Sequence, residues 1–321
     1  YLDFSKIDFN IGFVQSVTPY YPPNIFLIKY CQENNLPFCC WMHGGYGAYD
    51  SLSGYDVTDY QHCENHILYG QGVADSIHAS SLYIKDNNQK NLNLMVGGTP
   101  FFAKLYGEKH KKIVKIKPKI LFAIGNFFSY NNFYFGYDRE YAEFCNLKSH
   151  RKILETLCKY SDRFDIIVKD YPYDNNKDIW KSILHNHGVN NIKVVTNEEL
   201  YSNLAKTSDA IIFTWISTTF AEALQTKADF LLFDDSSMTE GATKILNETI
   251  IFENKLDIFI KKLRTYLDEG RFGQQNKTKA KEYFIDGGFN AGSILKLSKF
   301  CYALSNKKSN YTSSPPQTYR E

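Results

Sequence analysis

The sequence holds 321 residues, of which 43% are apolar and 22% charged, a composition that fits two ordinary domains each burying its own core. A formal net charge of +2 provides no field to draw the chain to nucleic acid, and no window of about 18 apolar residues reads as a transmembrane helix. Seven cysteines without CxxC pairs argue against zinc and for buried, reduced thiols of a cytoplasmic protein. In chain order, Ile11–Val17 reads as a short apolar strand broken at Tyr20–Pro23 (YYPP), and Asn24–Asn34 has helical spacing. Leu36–Met42 (LPFCCWM) is apolar throughout, as a buried strand is, with Cys39 and Cys40 expected on opposite faces; it runs straight into His43-Gly44-Gly45. A loop rich in Gly, Tyr, Ser and Asp follows at Tyr46–Asp59. Next come a strand at His66–Tyr69, a helix over Gly72–Ser80, and a strand at Leu92–Val96 that turns at Gly97-Gly98-Thr99-Pro100. The basic run Lys104–Lys119 reads either as a solvated interdomain linker or as a surface that meets anionic lipid headgroups at the inner face of the membrane.

A second alternating series begins after Pro118. Ile120–Ile124 is a strand followed by an aromatic-rich loop (Gly125–Tyr137), Leu147–Tyr160 an amphipathic helix, and Asp165–Lys169 (DIIVK) a strand ending at Tyr171-Pro172. Strands at Ile192–Val195, Asp209–Thr214, Phe230–Phe233 and Ile250–Phe252 then interleave with helices at Glu198–Lys206, Thr218–Gln225 and Leu256–Leu267. Ser293–Leu304 reads as a closing helix, and the Ser-, Pro-, Thr- and Lys-rich tail as disordered. Strands alternating with helices imply parallel sheets covered on both faces. The expected architecture is therefore α/β, with two Rossmann-like domains facing each other across a cleft: an acceptor-side domain over 1–117, a nucleotide-donor domain over 118–305, and a tail over 306–321. The chain starts at Tyr1 with no signal peptide visible, so a larger parent protein, trimmed at its N-terminus, is expected.

Ligands of such sheets bind beyond the carboxyl ends of the strands, which singles out the residues just after each one. His43 ends a buried strand before two glycines that let backbone approach a phosphate, so it reads as a general base or a phosphate partner, against a structural turn histidine. Lys169 is placed to put a positive charge on a donor phosphate, against an ordinary solvated lysine, with Asp170 and Asp174 as nearby candidates for a base or for sugar contacts. Asn126 follows the first strand of the second series. The segment Thr214–Leu224 (TWISTTFAEAL) is the most specific signal. A strand ends, Ser217, Thr218 and Thr219 occupy the turn, and a helix starts with Glu222 in its second turn, a pattern suited to a nucleotide phosphate and ribose, or to plain capping chemistry. No GxGxxG or Walker pattern follows a strand, which disfavours dinucleotide oxidoreductases and kinases. Asp234-Asp235 is adjacent rather than spaced and is discounted as a metal site.

The order HGG at His43–Gly45, YGQG at Tyr69–Gly72, VGGTPFFAKLYG at Val96–Gly107, VKDYPYD at Val168–Asp174 and STTFAEAL at Ser217–Leu224 resembles the leptospiral-type surface carbohydrate biosynthesis transferases over roughly residues 36–290. It is more distantly similar to capsule-type β-Kdo transferases and CDP-glycerol glycerophosphotransferases. The resemblance implies a GT-B-like fold, no required metal or other cofactor, and a CMP- or other NDP-linked sugar held mainly by the second domain. It implies donor binding by Lys169, Ser217, Thr218, Thr219 and Glu222, and His43 near the cleft floor. Where the capsule-type and glycerophosphotransferase relatives have a His-Pro pair, this chain has Tyr171-Pro172, which puts a second catalytic histidine in doubt. Trp215-Ile216-Ser217-Thr218 stands where the glycerophosphotransferase type has Asp-Tyr-Ser-Ser, which favours a sugar over a polyol-phosphate donor. The N-terminal domain is also short for that fold. The reading that follows is a metal-independent, inverting glycosyltransferase that builds a bacterial surface polysaccharide, O-antigen or capsule. Its glycan acceptor enters over Gly44, Gly45, Tyr46 and Tyr49, and the base is His43, Asp50 or Asp170. A CDP-polyol phosphotransferase, a nucleotide-sugar 2-epimerase and a non-catalytic carbohydrate-binding domain remain as alternatives.

Overall fold

A computed structural model of the chain describes residues 14–17, 22–42, 63–79, 92–99, 116–124, 142–171, 177–236, 238–286 and 291–306. Its first sheet contains β1 (Val14–Val17), β2 (Phe38–Trp41), β3 (Asn65–Leu68) and β4 (Asn93–Val96), parallel and in that spatial order. Register runs through Val14↔Phe38, Cys39↔Asn65 and Asn65↔Asn93. Because successive side chains of a strand alternate in direction, Cys40 packs with Cys31, Phe38 and Cys63, while Cys39 packs on the other face with Ile67 and Met95. Interleaved with these strands are α1 (Pro22–Glu33) and α2 (Gln71–Ala79).

The second sheet contains β5 (Lys119–Ala123), β6 (Asp165–Lys169), β7 (Lys193–Val195), β8 (Ala210–Phe213), β9 (Asp229–Phe233) and β10 (Ile251–Glu253), all parallel, in the order β10-β9-β8-β5-β6-β7. β8 and β9 are buried at every residue, as strands covered on both faces must be. Leu121, Ile167, Ile211, Phe213 and Leu232 face one apolar cluster, and Ile120, Phe122, Ile166, Val168, Ile212 and Leu231 face the other. On the second face lie α3 (Ala142–Cys158), α4 (Lys177–Asn186) and α8 (Leu256–Glu269), through Ile153, Leu157, Trp180, Phe259 and Leu263. On the first lie α5 (Tyr201–Thr207), α6 (Thr218–Ala223), α7 (Glu240–Thr249) and α9 (Thr278–Ile285), through Leu204, Phe220, Leu246 and Phe284.

Two features differ from the sequence expectation. The helix expected from Glu198 starts at Tyr201, because the Glu198 carboxylate accepts the backbone N–H of Thr196 (2.6 Å) and its hydroxyl (3.0 Å) and so closes a separate turn first. The closing helix, α10 (Ala291–Asn306), expected with the second domain, packs on the first sheet, where Leu297, Phe300 and Leu304 meet Cys39, Ile67 and Met95. Both faces of the second sheet carry helices, whereas this face of β2–β4 offers the apolar side chains of Cys39, Ile67 and Met95. No described helix is long and apolar enough to cross a membrane.

Candidate functional site

Counted from one to six in chain order, the strands of the second sheet are arranged 3-2-1-4-5-6, so the winding reverses between β5 and β8. Loops leaving neighbouring strands on either side of such a reversal diverge and open a crevice at the carboxyl edge. The loop beyond β8 starts at Thr214, and the loop beyond β5 starts at Ile124. β6 neighbours β5, so Lys169 and Asp170 stand on the same edge one strand away. Topology therefore brings the Ser217–Glu222 segment and the Lys169-Asp170 pair to one edge. Asn126, His43, Gly44, Gly45, Tyr46, Tyr49, Asp50 and Asp174 lie outside the described residues, as do Lys104–Lys115 and the tail beyond 306.

The turn after β8 has a defined internal structure. Ser217 is extended (φ −139°, ψ −179°) and precedes the short helix α6, but its hydroxyl does not cap that helix; it pairs with the Thr219 hydroxyl at 2.6 Å. The helix closes through the backbone, with Ala221 N–H donating to Ser217 O at 3.1 Å. Three residues outside the turn hold it. His150 of α3 bonds through Nε2 to Thr214 Oγ1 at 2.7 Å, Asp234 beyond β9 accepts the Ile216 N–H at 3.3 Å, and the Tyr201 hydroxyl donates to Thr219 O at 3.0 Å. None of the three was singled out as a site residue from sequence. His150 lies in a helix whose pattern reads as ordinary core. Asp234 follows a strand end, so the same rule that marked Ser217 could have marked it. Tyr201 carries no local signal.

Glu222 sits on α6, mostly enclosed. Burial pushes its carboxyl up to about 7, opposed by the nearby Lys206 ammonium. It can thus change protonation state near neutral pH. Lys169 is 6% exposed and donates to the carbonyls of Asp170 and Thr196, so it fastens the end of β6 to the turn after β7. Burial lowers its pKa from the ordinary lysine value. Two of its three N–H groups are engaged in this way. Asp170 is buried and accepts the Tyr171 N–H at 3.0 Å. Among the described residues no group of three or more His, Cys, Asp and Glu side chains is placed to hold a metal ion.

The YGQG segment has a packing role. A side chain on Gly70 would meet the carbonyl oxygen of Tyr283 at 2.3 Å, and one on Gly72 would meet the Tyr283 ring at 2.1 Å. These glycines let α9 lie against the start of α2, and the Tyr283 hydroxyl bonds Ser76 of α2 and Thr239 before α7. Met42, Leu68, Val73 and Ile77 of the first unit share one apolar cluster with the second sheet, so the two units meet through a packed seam.

No protein-family model and no curated protein sequence matches the chain. Solved structures do. The Staphylococcus aureus MnaA–UDP complex superposes with TM-score 0.56 at 12% identity, covering 91% of this chain and 74% of its own. The pneumococcal O-GlcNAc transferase GtfA, in complex with UDP and GlcNAc, superposes with TM-score 0.57 at 10% identity, covering 95% of this chain and 59% of its own. The fold is GT-B. The Neisseria meningitidis UDP-GlcNAc 2-epimerase bound to UDP-GlcNAc shares it, with TM-score 0.53 at 11% identity and coverage of 91% and 76%. The GT-B fold is thus a property of this chain that the sequence expectation anticipated, α/β with two Rossmann-like units. At such identities fold is what these likenesses establish, and function has to be argued from the site.

Proposed function

We propose that this GT-B chain is a glycosyltransferase that moves a sugar from a nucleotide-activated donor to a glycan acceptor. The observation that supports this reading is the hydroxyl-bearing turn Ser217-Thr218-Thr219, which follows β8 beside the β5/β8 winding reversal. In this reading the donor diphosphate lies against the turn, whose hydroxyls and backbone amides meet the charge that develops on the leaving nucleotide. Glu222 takes the ribose hydroxyls as a bidentate acceptor, which requires its ionised form. Lys169, held by two carbonyls, adds positive charge at the same edge, and Asn126 is the further donor-binding residue of this reading. The acceptor enters over Gly44, Gly45, Tyr46 and Tyr49 of the first unit, with His43, Asp50 or Asp170 removing the proton from its hydroxyl. The reaction is inverting and needs no metal, and the product belongs to a bacterial surface polysaccharide such as O-antigen or capsule, as the leptospiral-type resemblance implies. A cytoplasmic enzyme acting at the inner face of the membrane on a lipid-linked glycan fits this role.

The test is a metal-free thermal-shift screen with CMP, CDP, UDP, GDP and dTDP, repeated on Glu222→Ala. A nucleotide at about 100 times its dissociation constant adds about 2.7 kcal/mol to stability, a clear rise in Tm. The expected outcome is a rise with one nucleotide that the variant loses. A folded protein that responds to none of them would support the carbohydrate-binding alternative. Nucleotide release that proceeds without any acceptor glycan would support the 2-epimerase alternative.

A further inference from the structure

We infer that His150, Asp234 and Tyr201 are positioning residues that hold the Thr214–Thr219 turn in its ligand-ready shape without touching the ligand. The inference rests on the proposed function only for the identity of the ligand; the preorganisation itself is a property of the fold.

A turn that binds phosphate through hydroxyls and amides works only if those groups already point inward, because reorienting them on binding would cost affinity. This turn is too short to fix itself. Inside it Ser217 Oγ pairs with Thr219 Oγ1, and its helix runs only Thr218–Ala223. Stiffness comes from outside, at three points spread along its length. At the start, Thr214 Oγ1 meets His150 Nε2 at 2.7 Å. That imidazole cannot swing, because it lies edge-on between the rings of Phe122, with centroids 6.1 Å apart, and Trp180, with centroids 5.9 Å apart. Burial also holds His150 neutral, with its pKa lowered to about 3, so the bond persists through the working pH range.

In the middle, the Asp234 carboxylate divides its oxygens between the Ile216 N–H (3.3 Å) and the Ser236 N–H (2.9 Å), while its own N–H donates to Glu253 O at 3.1 Å. Asp234 thereby ties the turn to the ends of β9 and β10. At the far end, the Tyr201 hydroxyl of α5 donates to Thr219 O at 3.0 Å. The three anchors come from the two helical layers and from the strand edge, so each constrains the turn from a different direction. Their side chains are occupied by these bonds and do not form the crevice surface contacts assigned to Ser217, Thr218 and Glu222.

The experiment compares Tyr201→Phe, His150→Leu, His150→Gln and Asp234→Asn with the parent protein by hydrogen exchange, melting temperature and UDP affinity. Tyr201→Phe removes one hydroxyl and leaves the ring. We expect amide exchange in 214–219 to quicken by about tenfold in Tyr201→Phe, His150→Leu and Asp234→Asn, with the exchange of β5, β6 and β9 unchanged. UDP affinity falls about fivefold for Tyr201→Phe and His150→Leu, as the loss of one neutral hydrogen bond of about 1 kcal/mol implies, and at least as far for Asp234→Asn, which removes a carboxylate acceptor. His150→Gln, whose amide reaches about as far as Nε2, restores both readouts. Exchange in 214–219 that matches the parent in Tyr201→Phe and His150→Leu would overturn the inference, as would weakened binding that simply follows global melting. If the parent binds no UDP, affinity is compared with whichever screened nucleotide it does bind; if it binds none, the proposed function fails, while the exchange measurement still decides whether these residues shape the turn.

Discussion

The glycine-lined seam between the units offers the sharpest energetic test. On Gly72 a methyl carbon would stand 2.1 Å from Cε1, 2.4 Å from Cζ and 2.5 Å from Cδ1 of Tyr283. Ordinary carbon contacts lie at about 3.5–4.0 Å, so the ring must retreat by more than about 1 Å. It is not free to do so, because its hydroxyl bonds Ser76 and Thr239 and its edge packs against Phe284 at a centroid distance of 5.1 Å. Overpacking of this kind costs about 1–3 kcal/mol, and we expect that loss for Gly72→Ala in urea unfolding followed by circular dichroism. In a Tyr283→Ala background the obstacle is gone. There alanine suits a helix better than glycine by up to about 1 kcal/mol, so Gly72→Ala should be neutral or mildly stabilising. The coupling between the two positions is then at least about 1 kcal/mol. Gly70 is the control: its nearest atoms are the backbone of Tyr283 and Phe284, at 2.3–2.6 Å, so Tyr283→Ala should not rescue Gly70→Ala. An equal cost for Gly72→Ala in both backgrounds would refute the seam as described.

Two further predictions concern pH. Burial raises the Glu222 carboxyl to about 7 from its ordinary value of 4.5, so between those values the folded state binds a proton that the unfolded state has released. Its contribution to stability is full below about 4.5 and is lost as pH rises through about 7. Glu222→Gln should therefore flatten the fall in urea midpoint between pH 5 and 8; an unchanged slope would place that carboxyl in contact with water. Lys277 shows the opposite case. It is 6% exposed, donates to Thr226 O at 3.1 Å and to Ala228 O, and lies 4.0 Å from the centre of the Phe230 ring. Burial lowers its pKa to about 7 from 10.5, so across that window the unfolded state carries the extra proton and stability rises with pH. Lys277→Met should lose the rise in urea midpoint between pH 7 and 9.5, and retention of the full rise would show that another group drives it.

Much of the fold was legible in the residues. Continuous apolar runs such as FLLF and AIIF require strands covered on both faces, and helical spacing between them requires parallel crossovers, so the α/β class followed from pattern alone. The strand-end rule marked Ser217–Glu222 and Lys169-Asp170, and both segments do stand on one carboxyl edge. Other features carry equally local signals. The helix at Lys177–Asn186 has Trp180 and Leu184 buried at helical spacing, and Glu240–Thr249 follows Thr239, whose side chain accepts the Ala242 N–H.

What local pattern could not supply were the long-range choices. Nothing near residues 297–304 says that α10 returns to the first sheet; that depends on which apolar face other helices left uncovered. Nothing around Gly70 and Gly72 names Tyr283, more than two hundred residues away, although the glycines exist to admit it. Lys169 reads as a cation for a donor phosphate, or as a solvated lysine, until β7 is laid beside β6 and the Thr196 carbonyl just beyond it claims the ammonium. Strand composition and periodicity are set by each residue's own solvation and backbone preference, and these can be read one segment at a time. The order of strands, the seam and the anchors of the Thr214–Thr219 turn depend on which distant surfaces fill the same space, and only the folded chain decides that.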